Sequence, residues 1–126
     1  WRWKHRLGGA MRQSGIVAAA GLYALDHNME LLAEDHANAR RLGEHIGHIE
    51  GLALFTPSIE TNIVFFDPSG AGLTSKQVCD ALLQRGVRMG VTYGSMIRAV
   101  THHDVSRADI DKVGQALKDV VAELGR

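Results

Sequence analysis

Ile63-Val64-Phe65-Phe66-Asp67-Pro68-Ser69-Gly70-Ala71-Gly72-Leu73-Thr74-Ser75-Lys76-Gln77 carries three structural signals in succession. The β-branched and aromatic run predicts a strand over Ile63–Phe66. Asp67-Pro68-Ser69-Gly70 is a turn sequence: proline presets one backbone angle, and aspartate and serine bond their own backbone. Thr74-Ser75-Lys76-Gln77 is a capping box, in which Thr74 accepts the Gln77 N–H and Gln77 reaches back. It predicts a helix running to Arg85 and closed by a left-handed Gly86.

The pattern extends in both directions. Val87–Val91 reads as a strand, Tyr93-Gly94-Ser95 as a turn, and Met96–Thr101 as a strand pairing back. Ser106 opens a last helix with the stripe Ile110, Val113, Leu117, Val120, Leu124. On the N-terminal side, Leu52–Phe55 predicts a short strand that Pro57 breaks. A helix over Met29–Ile49 places Leu32, Ala39, Leu42, Ile46 and Ile49 at helical spacing, with Gly51 as its stop. A first helix runs over Met11–His27. Short strands on tight loops, interleaved with helices, predict an α+β fold. It is a small two-layer domain with a short, mainly antiparallel sheet covered by helices. With no repeat and no low-complexity stretch, residues 1–126 read as a single domain.

Leu7–Leu25 stands apart. Gly8-Gly9 and Arg12 precede a run without charge from Gln13 to Leu25. A surface helix keeps a polar face, so this one is expected to be buried on all sides. It is too short to span a bilayer, which takes about 20 apolar residues. Arg2, Lys4, Arg6 and Arg12 face no acidic residue before Asp26. A glycine turn, an arginine and the unpaired N–H groups of a helix start make an anion site. Arg12 equally suits a solvated position, although cations are disfavoured at that helix end.

The 14 basic and 14 acidic side chains balance, which argues against nucleic acid as the main partner. Cys79 is alone, so no disulfide framework exists and a reducing, cytoplasmic setting is expected. No signal peptide or membrane span is visible. The chain opens Trp1-Arg2-Trp3-Lys4, an odd free terminus, and is expected to be a piece of a longer protein.

Arg98 is the residue most able to carry chemistry. It stands in Met96-Ile97-Arg98-Ala99-Val100, on one face with Met96 and Val100. An arginine among apolar strand residues calls for an acidic partner, and its planar fork fits a carboxylate. A substrate carboxylate, a structural acid, or a strand edge facing solvent each satisfies that demand. The histidines do not build a metal site: Glu44-His45 with His48, and His102-His103-Asp104, lack the H-E-x-x-H spacing, and one cysteine makes no thiolate site. His45 and His48 read as a solvated face, His36 as a core histidine and Asp104 as a turn residue. Gly70, Gly72, Gly90 and Gly94 read as turn glycines with the wrong spacing for a dinucleotide loop.

Leu7-Gly8-Gly9-Ala10-Met11-Arg12-Gln13-Ser14-Gly15, Ala18-Ala19-Ala20-Gly21 and Leu31-Leu32-Ala33-Glu34-Asp35-His36 resemble low-specificity L-threonine aldolases. Thr61-Asn62-Ile63-Val64-Phe65-Phe66 and Ile97-Arg98-Ala99-Val100-Thr101-His102-His103-Asp104-Val105-Ser106-Arg107 follow in the same order. The resemblance covers nearly the whole chain. It implies a fold-type I enzyme dependent on pyridoxal phosphate that cleaves β-hydroxy-α-amino acids to glycine and an aldehyde. It implies that this chain is the C-terminal portion, with residues 1–27 linking from the large domain and 28–126 forming the small domain. The Schiff-base lysine of the family lies upstream, and Lys4, Lys76, Lys112 and Lys118 do not match it. No catalytic residue is therefore expected in this segment, which is inactive alone. Arg98 matches the arginine that holds the substrate carboxylate. Arg12, with Gly8 and Gly9, matches the cofactor-phosphate region, and the family implies a homo-oligomer, dimer or tetramer, with shared sites. Ala10 replaces a frequent third glycine, and His5 stands where some relatives have lysine. The alternatives are another fold-type I enzyme, an aminotransferase or β-eliminating lyase, or a non-catalytic helical interaction module.

Overall fold

A computed structural model of the chain describes residues 1–56 and 58–125. Pro57, expected to break the first strand, lies outside the described residues. The chain divides into two compact units, Trp1–Leu31 and Leu32–Arg126.

The first unit holds helices α1 (Arg2–Arg6) and α2 (Gly15–His27). The sequence pattern did not foresee α1, and α2 starts later than Met11. None of α2 is buried: Ile16 is 83% and Leu25 63% exposed. Nothing among the described residues supplies the cover expected for this helix. Only the five-residue α1 accompanies α2 in this unit, too little to cover a helix that is apolar all round. Among the described residues no helix is long and apolar enough to cross a membrane.

The second unit is α3 (Leu32–Gly47), β1 (Ala53–Leu54), β2 (Ile63–Asp67), a 3-10 turn at Ser69–Ala71, α4 (Ser75–Leu83), β3 (Gly90–Val91), β4 (Ile97–Val100) and α5 (Arg107–Leu124). The strands form one antiparallel sheet in the order β1-β2-β4-β3. Strand alternation sends Val64, Phe66, Ile97 and Ala99 to one face, where they are buried. Leu42 and Ile46 of α3, Val78 and Leu82 of α4, and Ile110, Leu117 and Val120 of α5 complete that core. Burying each of these larger side chains stabilises the fold by about 1.5–3 kcal/mol. The result is the α+β two-layer arrangement expected from the sequence. The edge strands are shorter than expected, and Gly90 lies in β3 rather than in a turn.

Local signals set the helix ends. Both capping boxes form: Thr74 with Gln77 at α4, and Ser106 with Asp109 at α5. Gly51 and Gly86 take positive φ where the chain leaves α3 and α4. The buried face of α3 differs from the expected stripe. Asp35 and Asn38 are buried, whereas Leu32 is exposed and His36, off that face, is half-buried rather than core. Polar groups bind this corner: the Asn38 amide donates to Val105 O (3.0 Å) and the Thr101 hydroxyl to Asp35 O (2.7 Å). Asp35 Oδ1 is buried without a partner among the described residues.

A polar clasp joins α3 to α5. Arg41 holds Asp111 through two hydrogen bonds (2.5 and 2.9 Å), and His45 Nε2 lies 2.9 Å from the same carboxylate. His45 is therefore half-buried and paired, not on a solvated face. It fits because position 114 is glycine: a Cβ there would stand 2.5 Å from the His45 ring. Gly114→Ala is expected to destabilise despite alanine's better helix propensity, lowering Tm by roughly 5–10 °C. Thermal melts check this, and His45→Ala in the same chain is expected to restore most of the loss.

Arg41 first, then His45, hold the Asp111 carboxyl down at about 2. A depressed folded-state pKa gives stability that is present above the unfolded value near ~4 and lost as pH falls toward the folded one. Between pH 4 and 2, Tm of the native protein is expected to fall more steeply than that of Asp111→Asn. Parallel slopes would show that the clasp contributes nothing.

Candidate functional site

The second sheet face carries no helix layer within this unit. Ile63, Arg98 and Val100 are exposed on it, and Phe65 is half-buried. β4 lies between β2 and β3, so Arg98 is not on a sheet edge. It stands opposite Phe65 on one side and Gly90 on the other. Gly90 adds no side chain beside it. Phe55 meets Phe65 edge-to-face with centroids 6.5 Å apart. The expected acidic partner of Arg98 is missing: it makes no ion pair among the described residues, and being exposed it needs none. The open face thus presents a guanidinium without an ion pair on a partly aromatic floor, with Asp67 on the same face two residues along β2 from Phe65. A guanidinium so placed has the planar fork that two charge-assisted hydrogen bonds to a carboxylate require.

The turn before Arg98 is anchored. The Thr92 N–H donates to Met96 O (2.9 Å), closing the β3–β4 hairpin, with Gly94 at φ +69. The Ser95 hydroxyl donates to Asp67 Oδ2 (2.7 Å), and Asp67 Oδ1 accepts the Ser69 N–H (2.8 Å). These donors, Ser95 foremost, lower the Asp67 pKa. The buried Ser75 hydroxyl, at the start of α4, donates to Ser95 O. The sequence pattern missed this tether. Asp67 was legible as a turn residue, but its pairing with Ser95 depends on sheet register.

Gly8, Gly9 and Arg12 belong to the first unit. Gly8 takes φ +82, a conformation that disfavours any side chain. A Cβ on Gly9 would crowd Lys4 Cγ and O at 3.1 Å. Arg12 is exposed in the turn before α2. Ser14 caps α2 with no side-chain hydrogen bond, and the first backbone bond of the helix is Ala18 N–H to Ser14 O. The earlier N–H groups remain free to bind an anion.

His102, His103 and Asp104 are exposed, with ligating atoms within 4.8 Å of one another. The Asp104 N–H donates to His102 Nδ1 (3.3 Å), so that nitrogen is already used as an acceptor in the turn. His48 is exposed, its Nδ1 2.6 Å from Glu44 O.

Residues 1–69 match the family model for beta-eliminating lyases. The chain is 38% identical over 114 residues to a probable low-specificity L-threonine aldolase 2 of Arabidopsis thaliana, covering 89% of this chain and 32% of that protein. It is 35% identical over 115 residues to the low specificity L-threonine aldolase of Escherichia coli K12, with the same coverage. The chain thus spans about a third of the length of these relatives. Among solved structures it resembles a variant of C-DES with glycine covalently linked to its PLP cofactor. The TM-score is 0.70 at 16% identity, over 84% of this chain and 28% of that one. That likeness concerns the fold. By the match over its first 69 residues, the chain belongs to the beta-eliminating lyase family.

Proposed function

We propose that this chain is the C-terminal part of a pyridoxal-phosphate-dependent aldolase that cleaves β-hydroxy-α-amino acids of the L-threonine type to glycine and an aldehyde. The observation that carries it is Arg98: a free guanidinium on an interior strand, on the open sheet face, within a region similar to L-threonine aldolases. Arg98 takes the substrate α-carboxylate and thereby orients the Cα–Cβ bond, a gain from fixed geometry rather than from new chemistry. Arg12, the left-handed Gly8, Gly9 and the free first-turn N–H groups of α2 fit a phosphate, and we assign them to the cofactor of a neighbouring subunit. The cofactor, when bound, supplies an electron sink for the pair released as that bond breaks.

The lysine that carries the cofactor and the base that takes the hydroxyl proton come from outside this chain. Residues 1–27 link from the large domain, and 28–126 form the small domain. The exposed apolar surface of α2 is covered by the rest of the large domain and a second subunit of a homo-oligomer. The lone Cys79 fits a cytoplasmic setting.

In the full-length protein, threonine is expected to yield glycine and acetaldehyde, identified by chromatography of the products. A keto acid would instead point to an aminotransferase or β-eliminating enzyme. Arg98→Lys keeps the charge but loses the fork, and kcat/KM is expected to fall about 10- to 100-fold, with cofactor absorbance retained. Wild-type kinetics in that variant would remove Arg98 from the site.

A further inference from the structure

We propose that Asp67 and Ser95 are positioning residues, which fix the entry of β4 so that Arg98 meets the substrate carboxylate at a set angle. The proposal rests on the role given to Arg98 above.

Arg98 has no side-chain partner among the described residues, so its aim is set by the backbone that carries it. That backbone is short. β4 has four residues and β3 two, and the β2–β4 ladder ends at Phe66 opposite Ile97, one residue from Arg98. Beyond that rung the chain enters the Thr92–Met96 turn, where Tyr93 is 90% exposed and contributes no packing. A two-residue edge strand with an unpacked turn frays readily.

Ser95 prevents the fraying from two directions. Its hydroxyl reaches across to Asp67, extending the β2–β4 connection past the last ladder rung. Its carbonyl accepts from Ser75, which is buried at the first turn of α4. Asp67 is itself immobilised, because its other oxygen accepts the Ser69 N–H. A carboxylate suits this junction better than an amide. It offers acceptors to both donors, whereas asparagine has one oxygen and would turn its NH2 toward one of them. Ionised acceptors also make the stronger bonds.

The chain of contacts runs from the start of α4 and the end of β2, through Ser95, to the strand that presents Arg98. Tightening this end removes hinge motion along the strand axis. Such motion would let the guanidinium meet a carboxylate through one hydrogen bond instead of two.

The test uses full-length, cofactor-loaded protein and a ligand without turnover. Glycine, which carries a carboxylate, and methylamine, which does not, are titrated by the change in cofactor absorbance. Ser95→Ala and Asp67→Asn are each expected to weaken glycine about 5- to 20-fold, scaled to the partial loss of a charge-assisted pair, with methylamine unchanged. The double variant is expected to be no worse than the poorer single one, because both break the same bond. Ser95→Thr, which keeps the hydroxyl, is expected to restore most of the affinity. Equal weakening of both ligands, or a fall in Tm with glycine affinity intact, would reduce the tether to a structural role. Arg98→Lys run beside them separates the two ideas. If it leaves glycine binding unchanged, the carboxylate role of Arg98 fails. If it weakens glycine while Ser95→Ala and Asp67→Asn do not, only the tether fails.

Discussion

The register between β2 and β4 is the constraint on which the rest depends. Strand side chains alternate with a period of two, so placing Phe66 opposite Ile97 also places Phe65 opposite Arg98. A slip of one residue in β4 would turn Arg98 into the helix-facing core and Ile97 and Ala99 out to water. An unpaired guanidinium buried there would cost several kcal/mol. The core therefore selects the register, and the register aims the arginine. The fold and the candidate site are two outcomes of one alternation.

The helical layer supports that sheet through contacts of a different kind. Apolar burial joins α3, α4 and α5 to the sheet without strongly fixing their rotation. The Arg41–Asp111–His45 clasp and the close approach at Gly114 add direction, because a bidentate pair and a ring seated on a glycine tolerate little sliding. The Asn38–Val105 and Thr101–Asp35 bonds do the same at the other end of α3, next to the exit of β4.

Much of this was legible in the sequence where the signal is local. The capping boxes at Thr74 and Ser106, the positive-φ stops at Gly51 and Gly86, and the strand Ile63–Phe66 all follow from neighbouring residues. What escaped depends on long-range neighbours. His45 looked solvated because its partner Asp111 and its seat at Gly114 lie on another helix. Asp35 and Asn38 lie off the apolar stripe that the spacing of α3 shows, yet they are buried by loops that bond their backbone or amide. The tether between Asp67 and Ser95 required the register. Arg98 was marked by its contrast with an apolar strand, but spacing left a substrate, an acid and a solvent edge equally open. The interior position of β4 and the absence of an ion pair to Arg98 among the described residues narrow that choice. The short local motif did not reveal α1, whose five residues have no amphipathic pattern to read.

Two apolar surfaces remain uncovered in the described residues: the whole circumference of α2, and the sheet face around Phe55, Phe65 and Val100. Contiguous exposed apolar area of this kind marks contact rather than chance. Each of the two surfaces adjoins a candidate anion-binding group, Arg12 beside α2 and Arg98 on the sheet face. An arginine gains most from an anion when apolar neighbours exclude water, because the attraction strengthens as the local dielectric falls. Covering either surface would strengthen the attraction of its arginine for an anion, so in the proposed reading the exposed apolar area and the guanidinium at each place act together.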